Sequence, residues 1–266
     1  MSISVSGKKI VFLGAGNVAT HLARAFDKVD GIDVVQVYSR SLESASVLSE
    51  SLSHASATDC IEDICTCADL YIVSLVDDVV AGVLASVPHG NALWVHTSGS
   101  LPKEVLSAVS SRHGVLYPLQ TFSKDVEVDM AEVPIFVEGS TPDVEEDIRA
   151  FAGKISDRVY QADGERRRKM HVAAVFACNF VNYFWTVADD LLKEEGLGLD
   201  VLHPLMRETM RKAIVASPSS GQTGPAVRGD RKVIAMHSSM LPSKFADIYT
   251  TMSDMIYDHY HNHEQN

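Results

Sequence analysis

The run Gly14-Ala15-Gly16-Asn17-Val18-Ala19 constrains this chain more than any other feature. It is a GxGxxA pattern set directly between an apolar β-type run, Lys9–Leu13, and a helical pattern, Asn17–Lys28. In that context each position has a physical task. Gly14 permits the tight turn out of the strand, Gly16 lets the backbone approach a pyrophosphate, and Ala19 lets helix and strand pack closely. The helix then offers unpaired N–H groups and the positive end of its dipole to phosphates. The sequence thus predicts a dinucleotide site whose phosphate-binding residues are Gly14, Ala15, Gly16, Asn17 and Val18.

The second strand, Asp33–Tyr38, tells which dinucleotide. NAD sites place Asp or Glu at its tip, about 20 residues beyond the glycines, to hold the ribose 2′-hydroxyl. Here the strand runs out into Ser39-Arg40-Ser41, a guanidinium between two hydroxyls with no carboxylate. Arginine binds phosphate through a planar fork of donors. This tip suits a 2′-phosphate and predicts NADP(H) as the cofactor.

The same alternation continues. Ser41–Leu52 reads as a helix with Ser41 as N-cap. Strands follow near Ser56–Thr58, Leu70–Leu75, Leu93–His96, Gly114–Tyr117, Ile135–Val137 and Arg158–Tyr160. A short helix is expected near Glu62–Cys65, and Pro142–Ile155 is a helix capped by Thr141. The nearly continuous apolar character of Leu70–Leu75 is that of a strand buried on both faces. Strands and helices alternating at this spacing make a doubly wound parallel sheet of the α/β class. After Asp163-Gly164 the strand signals stop. Helices are expected over Glu165–Glu195 (closed by Gly196), Asp200–Ser217, Asp230–Met240 and Pro242–His261, with a Gly/Ser/Pro/Thr segment, Pro218–Gly229, between the second and third. At roughly 150 residues per domain, the 266 residues divide at this change. The expected domains are 1–163, nucleotide-binding, and 164–266, all-helical.

Composition narrows the function classes. Lys and Arg total 23 against 35 Asp and Glu, a net charge of −12. Duplex binding needs a basic footprint, and anionic membrane surfaces repel such a chain, so neither nucleic acid nor membrane is expected as a partner. The four cysteines, Cys60, Cys65, Cys67 and Cys178, are too few for a disulfide framework and lack zinc spacing. They read as small buried thiols, with no metal site, in a cytoplasmic protein. The first apolar run, Ile10–Leu13, is too short for a leader. Val172–Ala188, interrupted by Asn179 and Asn182, falls below the ~18 apolar residues of a spanning helix and reads as a buried helix.

Ligands of open α/β sheets bind beyond the carboxyl ends of the strands. Ser74 and Asp77 follow the Leu70–Leu75 strand, and His96, Thr97 and Ser98 follow the next, so these residues are expected around the nicotinamide. Histidine is matched to proton transfer near neutral pH, which makes His96 a candidate catalytic group and Ser98 an anion donor. On the long helix, at 100° per residue, His171 and Asn182 differ by about 20° and Asn179 lies about 80° away. His171 and Asn179 are candidate catalytic residues facing a cleft between the domains, and Asn182 a substrate contact. Arg228 is a candidate clamp for a substrate carboxylate. The run Glu165–Lys169 reads as a solvated helix face, as does the polar side of the first helix bearing His21 and Arg24. His259, His261 and His263 alternate near the end of the chain and read as solvent-exposed.

Several motifs together carry a family likeness. With Gly14–Ala19 and Ser39-Arg40-Ser41, they are His96-Thr-Ser-Gly-Ser100, Tyr117-Pro-Leu-Gln120-Thr-Phe122, His171-Val-Ala-Ala-Val-Phe-Ala-Cys-Asn179 and Gly221-Gln-Thr-Gly-Pro-Ala-Val-Arg228-Gly-Asp230. The chain resembles the NADP oxidoreductases labelled coenzyme F-420-dependent, which join a Rossmann-like domain to a helical domain of unknown function. More distantly its layout looks like pyrroline-carboxylate reductases, ketopantoate reductases and β-hydroxyacid dehydrogenases. The resemblance implies an oxidoreductase that moves a hydride between NADPH and a small carbonyl or imine acid. It also implies that Gln120 is near the substrate and that a homodimer forms through the helical domain. Two alternatives remain open: a nucleotide-binding sensor without turnover, and a deazaflavin:NADP oxidoreductase.

Overall fold

The computed structural model describes residues 7–87 and 89–261. Eight strands form one sheet: β1 (Lys8–Leu13), β2 (Ile32–Tyr38), β3 (Ser56–Thr58), β4 (Leu70–Val73), β5 (Leu93–His96), β6 (His113–Pro118), β7 (Ile135–Gly139) and β8 (Val159–Gln161). Their order across the sheet is β3-β2-β1-β4-β5-β6-β7-β8. The chain builds outward from β1 on one side and then returns to lay β4 on the other. The carboxyl ends of β1 and β4 therefore flank the point where the winding reverses, which is where such sheets bind ligands. All pairings are parallel except β6 with β7, where Leu116 faces Val137. The expected all-parallel sheet is therefore mostly parallel.

Both faces of the sheet are covered. Ile10 and Phe12 pack with Leu22 and Phe26 of α1 (Asn17–Asp27) and with Ile148 and Phe151 of α4 (Pro142–Ala152). Val11 and Leu13 pack on the other face with Trp94, Leu106 and Val80 of α3 (Asp77–Leu84). This explains the apolar runs: a strand between two layers alternates between two cores. The local signals act as expected at two helix starts. Ser41 Oγ accepts from Ser44 N at the start of α2 (Leu42–Ser49). Thr141 Oγ1 accepts from Val144 N at the start of α4. The sequence reading omitted α3, and the short helix expected near Glu62–Cys65 is a single 3₁₀ turn, Ile61–Asp63.

The helical half opens with α5 (Gly164–Ala174), a π-helical turn (Val175–Phe180) and α6 (Val181–Glu194) in one continuous run. Asp163 caps it by accepting from Arg166 N, and Gly196, at φ +72°, ends it. The chain forms two compact units, 1–183 and 184–266. In the second, α7 (His203–Val215), the short α8 (Pro218–Gly221), α9 (Arg231–Ser239) and α10 (Ser243–His261) follow. Asp230 caps α9, and α9 and α10 are joined by His237 with Tyr249 and by the Arg231–Asp254 ion pair.

Four expectations about exposure are corrected. The apolar run 172–188 is not buried within the chain: Val172, Phe176, Phe180 and Trp185 are exposed, Phe176 by 65%. By length and composition Gly164–Glu194 is apolar enough to cross a membrane. His21 is buried, stacked on Phe122 and bonded to the Ser123 carbonyl, because the 119–134 loop lies over α1. Cys60, Cys67 and Cys178 are exposed and Cys65 half-buried. Arg167, in the charged run at the start of α5, is fully buried. His259 and His261 fall within α10, and His263 lies outside the described residues.

Candidate functional site

At the end of β1, Gly14 has φ +123°, and a β-carbon there would lie 2.1 Å from the Ser74 carbonyl oxygen at the end of β4. Only glycine lets the two strand ends close in this way. Gly16, by contrast, faces open space, and it begins α1 with no side chain capping the helix. The first N–H groups of α1, from Asn17 and Val18 onward, are therefore left for an external acceptor, while Thr20 Oγ1 bonds back to the Gly16 carbonyl. At the tip of β2, Ser39 N bonds to Thr58 O, and Ser39 Oγ accepts from Ser41 N. Ser41 Oγ is occupied as the cap of α2. Arg40 is exposed and has no ion-pair partner among the described residues. An uncapped helix start, an open glycine and a free guanidinium match the diphosphate and 2′-phosphate of NADP(H).

From Gly14 the contacts run along the carboxyl edge of the sheet. Thr97 Oγ1 donates to Ser74 Oγ at 3.2 Å, and Thr97 N bonds to Val73 O. Ser98 Oγ donates to Asp77 Oδ2 at 3.1 Å and accepts from Ser100 N and Leu101 N at 3.0 Å each. That hydroxyl folds residues 98–101 into a tight turn. His96 lies beneath it, 1% exposed, its Nδ1 accepting from Ser98 N at 3.2 Å and its Nε2 without a hydrogen-bond partner among the described residues. Burial, with the Arg167 charge adding to it, lowers the His96 pKa to about 4, and the Glu138 carboxylate and Pro102 backbone do not offset this. His96 is therefore a neutral imidazole at neutral pH. It is suited to shaping the turn rather than to supplying a proton.

The third group sits against that turn. His171 Nδ1 and Tyr117 Oη are 2.9 Å apart, with the rings edge to face. A β-carbon on Gly99 would lie 2.8 Å from the His171 ring and 3.0 Å from Tyr117 Cζ, so glycine is what admits both rings. Burial raises the Tyr117 pKa, with Arg167 opposing it. One turn earlier on α5, Arg167 Nη1 meets Glu138 Oε2 at 2.6 Å and Nη2 meets the Leu101 carbonyl at 2.5 Å. Lys103 Nζ meets Glu138 Oε1 at 2.7 Å. Burial alone would raise the Glu138 pKa, but Lys103 and Arg167 outweigh it and hold it below the usual carboxylate value.

The predicted groups thus separate. Gly14, Ser74, Asp77, His96, Thr97, Ser98 and His171 form one contiguous set, all within the unit 1–183. Asn179 and Asn182 are exposed, the first in the π-turn and the second on α6. A π-turn does not advance 100° per residue, so the angular arithmetic that aligned these residues with His171 fails across it. Gln120 is exposed and its amide oxygen accepts from Thr121 N. Arg228 is exposed in the second unit, on a turn where its N bonds to Gly224 O. The reading missed Tyr117, the close packing of two rings on Gly99 (whose backbone it reads only as an anion donor), and Arg167. The first two lay inside motifs already singled out, whereas nothing in a run of charges marks one member as buried.

Residues 9–95 match the family described as NADP oxidoreductase coenzyme F420-dependent, and residues 133–256 match a domain of unknown function, DUF2520. A crystal structure from Bacteroides fragilis, named as a "putative NADP oxidoreductase", is 41% identical, with a TM-score of 0.89 over 96% of this chain and 100% of its own. This chain belongs to the NADP oxidoreductase family. Two further solved structures share the fold. The pyrroline carboxylate reductase of Plasmodium falciparum with NADP bound is 11% identical, with a TM-score of 0.59 over 96% of this chain and 100% of its own. A reductive aminase of Aspergillus terreus in complex with NADPH and ethyl-5-oxohexanoate is 16% identical, with a TM-score of 0.64 over 94% and 92%. A search of curated proteins found no match. As a member of this family the chain is an NADP-dependent oxidoreductase with a Rossmann-like NADP-binding domain.

Proposed function

We propose that this oxidoreductase reduces a small carbonyl or imine acid, with His171 delivering the proton. The observation that carries the reading is the unbroken line of contacts from Gly14 through Ser74 and Thr97 to the Ser98–Gly99 turn and the Tyr117–His171 pair. When bound, NADPH supplies the hydride. Gly16 and the start of α1 hold its diphosphate, Arg40 its 2′-phosphate, and the Ser74, Thr97 and Ser98 hydroxyls lie along the approach to the reacting end. Tyr117 O–H donates to His171 Nδ1, which places the imidazole proton on Nε2, a nitrogen with no partner among the described residues. From there it passes to the oxygen or nitrogen of the acceptor as the hydride reaches carbon, while Nδ1 takes the Tyr117 proton so that the ring stays neutral, and the phenolate is reprotonated from solvent. His96 stays neutral and keeps the turn in shape.

The exposed apolar residues of α5 and α6 support a homodimer as the working form, since a patch of this kind marks an interaction surface. The acidic chain and its free thiols are consistent with a reducing cytoplasm.

The test has two parts. NADPH and NADH are titrated by calorimetry into the protein and into Arg40→Ala, and NADPH oxidation is followed with a panel of keto and cyclic imino acids. A preference for NADPH of at least tenfold, lost in Arg40→Ala, and turnover of at least one acid class are expected. Equal affinities refute the cofactor assignment. Turnover with a deazaflavin alone, or with nothing, refutes the substrate assignment.

A further inference from the structure

We infer that Arg167 is the positioning residue of this site: its buried guanidinium fixes the helix that carries His171 against the Ser98–Leu101 turn. The inference rests on the reading of His171 given above. Arg167 and His171 are four residues apart on α5, so they share one face a single turn apart. Both reach the same short stretch of chain. The guanidinium takes the Leu101 carbonyl, and the imidazole abuts Gly99 two residues earlier. The turn is held from inside by Ser98 Oγ, which accepts from Leu101 N, and from outside by Arg167 on the carbonyl of the same residue. Glu138 completes the attachment. It takes Arg167 on one oxygen and Lys103, two residues past Leu101, on the other, which ties helix, turn and β7 together.

Stability alone does not account for this arrangement. A buried ion pair gives no net stabilisation over well-packed apolar side chains of the same volume, and apolar packing would serve equally to seat a helix. What a planar fork with two directed bonds adds is register. With the helix gripped at Arg167, rotation or sliding of α5 would break either the Glu138 or the Leu101 bond before His171 could leave Tyr117. The π-turn begins at Val175, immediately beyond this gripped segment, so the irregular part of the helix starts where the anchoring stops. Arg167 Nε has no hydrogen-bond partner among the described residues, nor has His96 Nε2 nearby. The cluster is thus not optimised for hydrogen bonding as such.

The test reads His171 directly and needs no substrate. Imidazole ¹⁵N spectra are recorded for the full chain, with His171 assigned by its loss in His171→Gln. In the wild type, His171 shows one fixed tautomer, with Nδ1 unprotonated. Tyr117→Phe removes the partner and gives averaged tautomers. Arg167→Met is expected to fold, to bind NADP⁺ within twofold of wild type, and to give His171 signals like those of Tyr117→Phe. Arg167→Lys, which keeps the charge but not the fork, is expected to fall on the same side. A folded Arg167→Met with wild-type His171 signals overturns the inference and leaves Arg167 a structural residue only. If the methionine variant does not fold, Arg167→Lys and Glu138→Gln decide by the same criterion. A His171 signal that ignores Tyr117→Phe refutes the Tyr117–His171 contact, and with it the proposed proton route. A response to Tyr117→Phe without a response at Arg167 refutes the positioning role alone.

Discussion

Acidification should destabilise the fold through His96 at a higher pH than through the lowered carboxylates Glu138 and Asp69. The ring is fully enclosed, and its pKa is about 4 against an ordinary 6.5. Below pH 6.5 the unfolded chain therefore takes up a proton that the folded chain refuses, and stability falls as pH falls. The contribution is intact above pH 6.5 and is spent by about pH 4, where the folded form protonates as well. A separation of about 2.5 units corresponds to at most about 3 kcal/mol, of which about 2 kcal/mol is lost between pH 7.5 and pH 5. The groups facing the ring set this value. Arg167 and His113 oppose a second charge, while Glu138 favours it but is already engaged by Arg167 and Lys103. The lowered carboxylates Glu138 and Asp69 lose their own contributions only as pH falls below about 4.5, their ordinary range, so the two windows separate. Urea unfolding at pH 7.5, 6 and 5 measures the slope, with His96→Gln as the non-titrating control. Loss of about 2 kcal/mol in the wild type and much less in the variant is expected. Parallel slopes would refute the claim that His96 is held neutral.

Three further outcomes follow from the geometry. Gly99→Ala introduces a β-carbon 2.8 Å from the His171 ring without forcing a positive φ, so turnover should fall at least tenfold while the thermal midpoint moves by only a few degrees; a fully active variant contradicts the placement. Gly14→Ala meets the Ser74 carbonyl oxygen at 2.1 Å from a φ of +123°, so it should unfold the protein or abolish nucleotide binding, as read by circular dichroism and calorimetry. Light scattering at micromolar concentration should give twice the 29.0 kDa chain mass, and a monomer would remove the proposed dimer.

The sequence carried the nucleotide end of the site almost completely, because that end is local. A strand, two glycines, an alanine and a helix start lie within about a dozen residues, and each acts through backbone conformation or close packing. Ser41 and Thr141 were legible as caps for the same reason. The omitted helix α3 has only eight residues and reads Asp-Asp-Val-Val-Ala-Gly-Val-Leu, which carries too few turns to separate helix from strand. The reversed β7 was hidden because a short apolar strand has no intrinsic direction. The burial of Arg167 was invisible in a different way. Its partners, Glu138 and Leu101, are 29 and 66 residues away, and a run of Glu and Arg looks solvated whichever member turns inward. Asn179 and Asn182 were aligned with His171 by an ideal helix that the π-turn interrupts.

The central claim is that the nucleotide turn at Gly14–Gly16 and the Tyr117–His171 pair belong to one site, with the nicotinamide end of NADP(H) reaching His171. The most direct measurement compares the His171 ring signals during titration with NADP⁺ and with 2′-phospho-ADP-ribose, which has the same phosphates but no nicotinamide. Both should bind and perturb Gly16 and Arg40, and only NADP⁺ should move His171. Saturating NADP⁺ that leaves His171 unchanged would contradict the account.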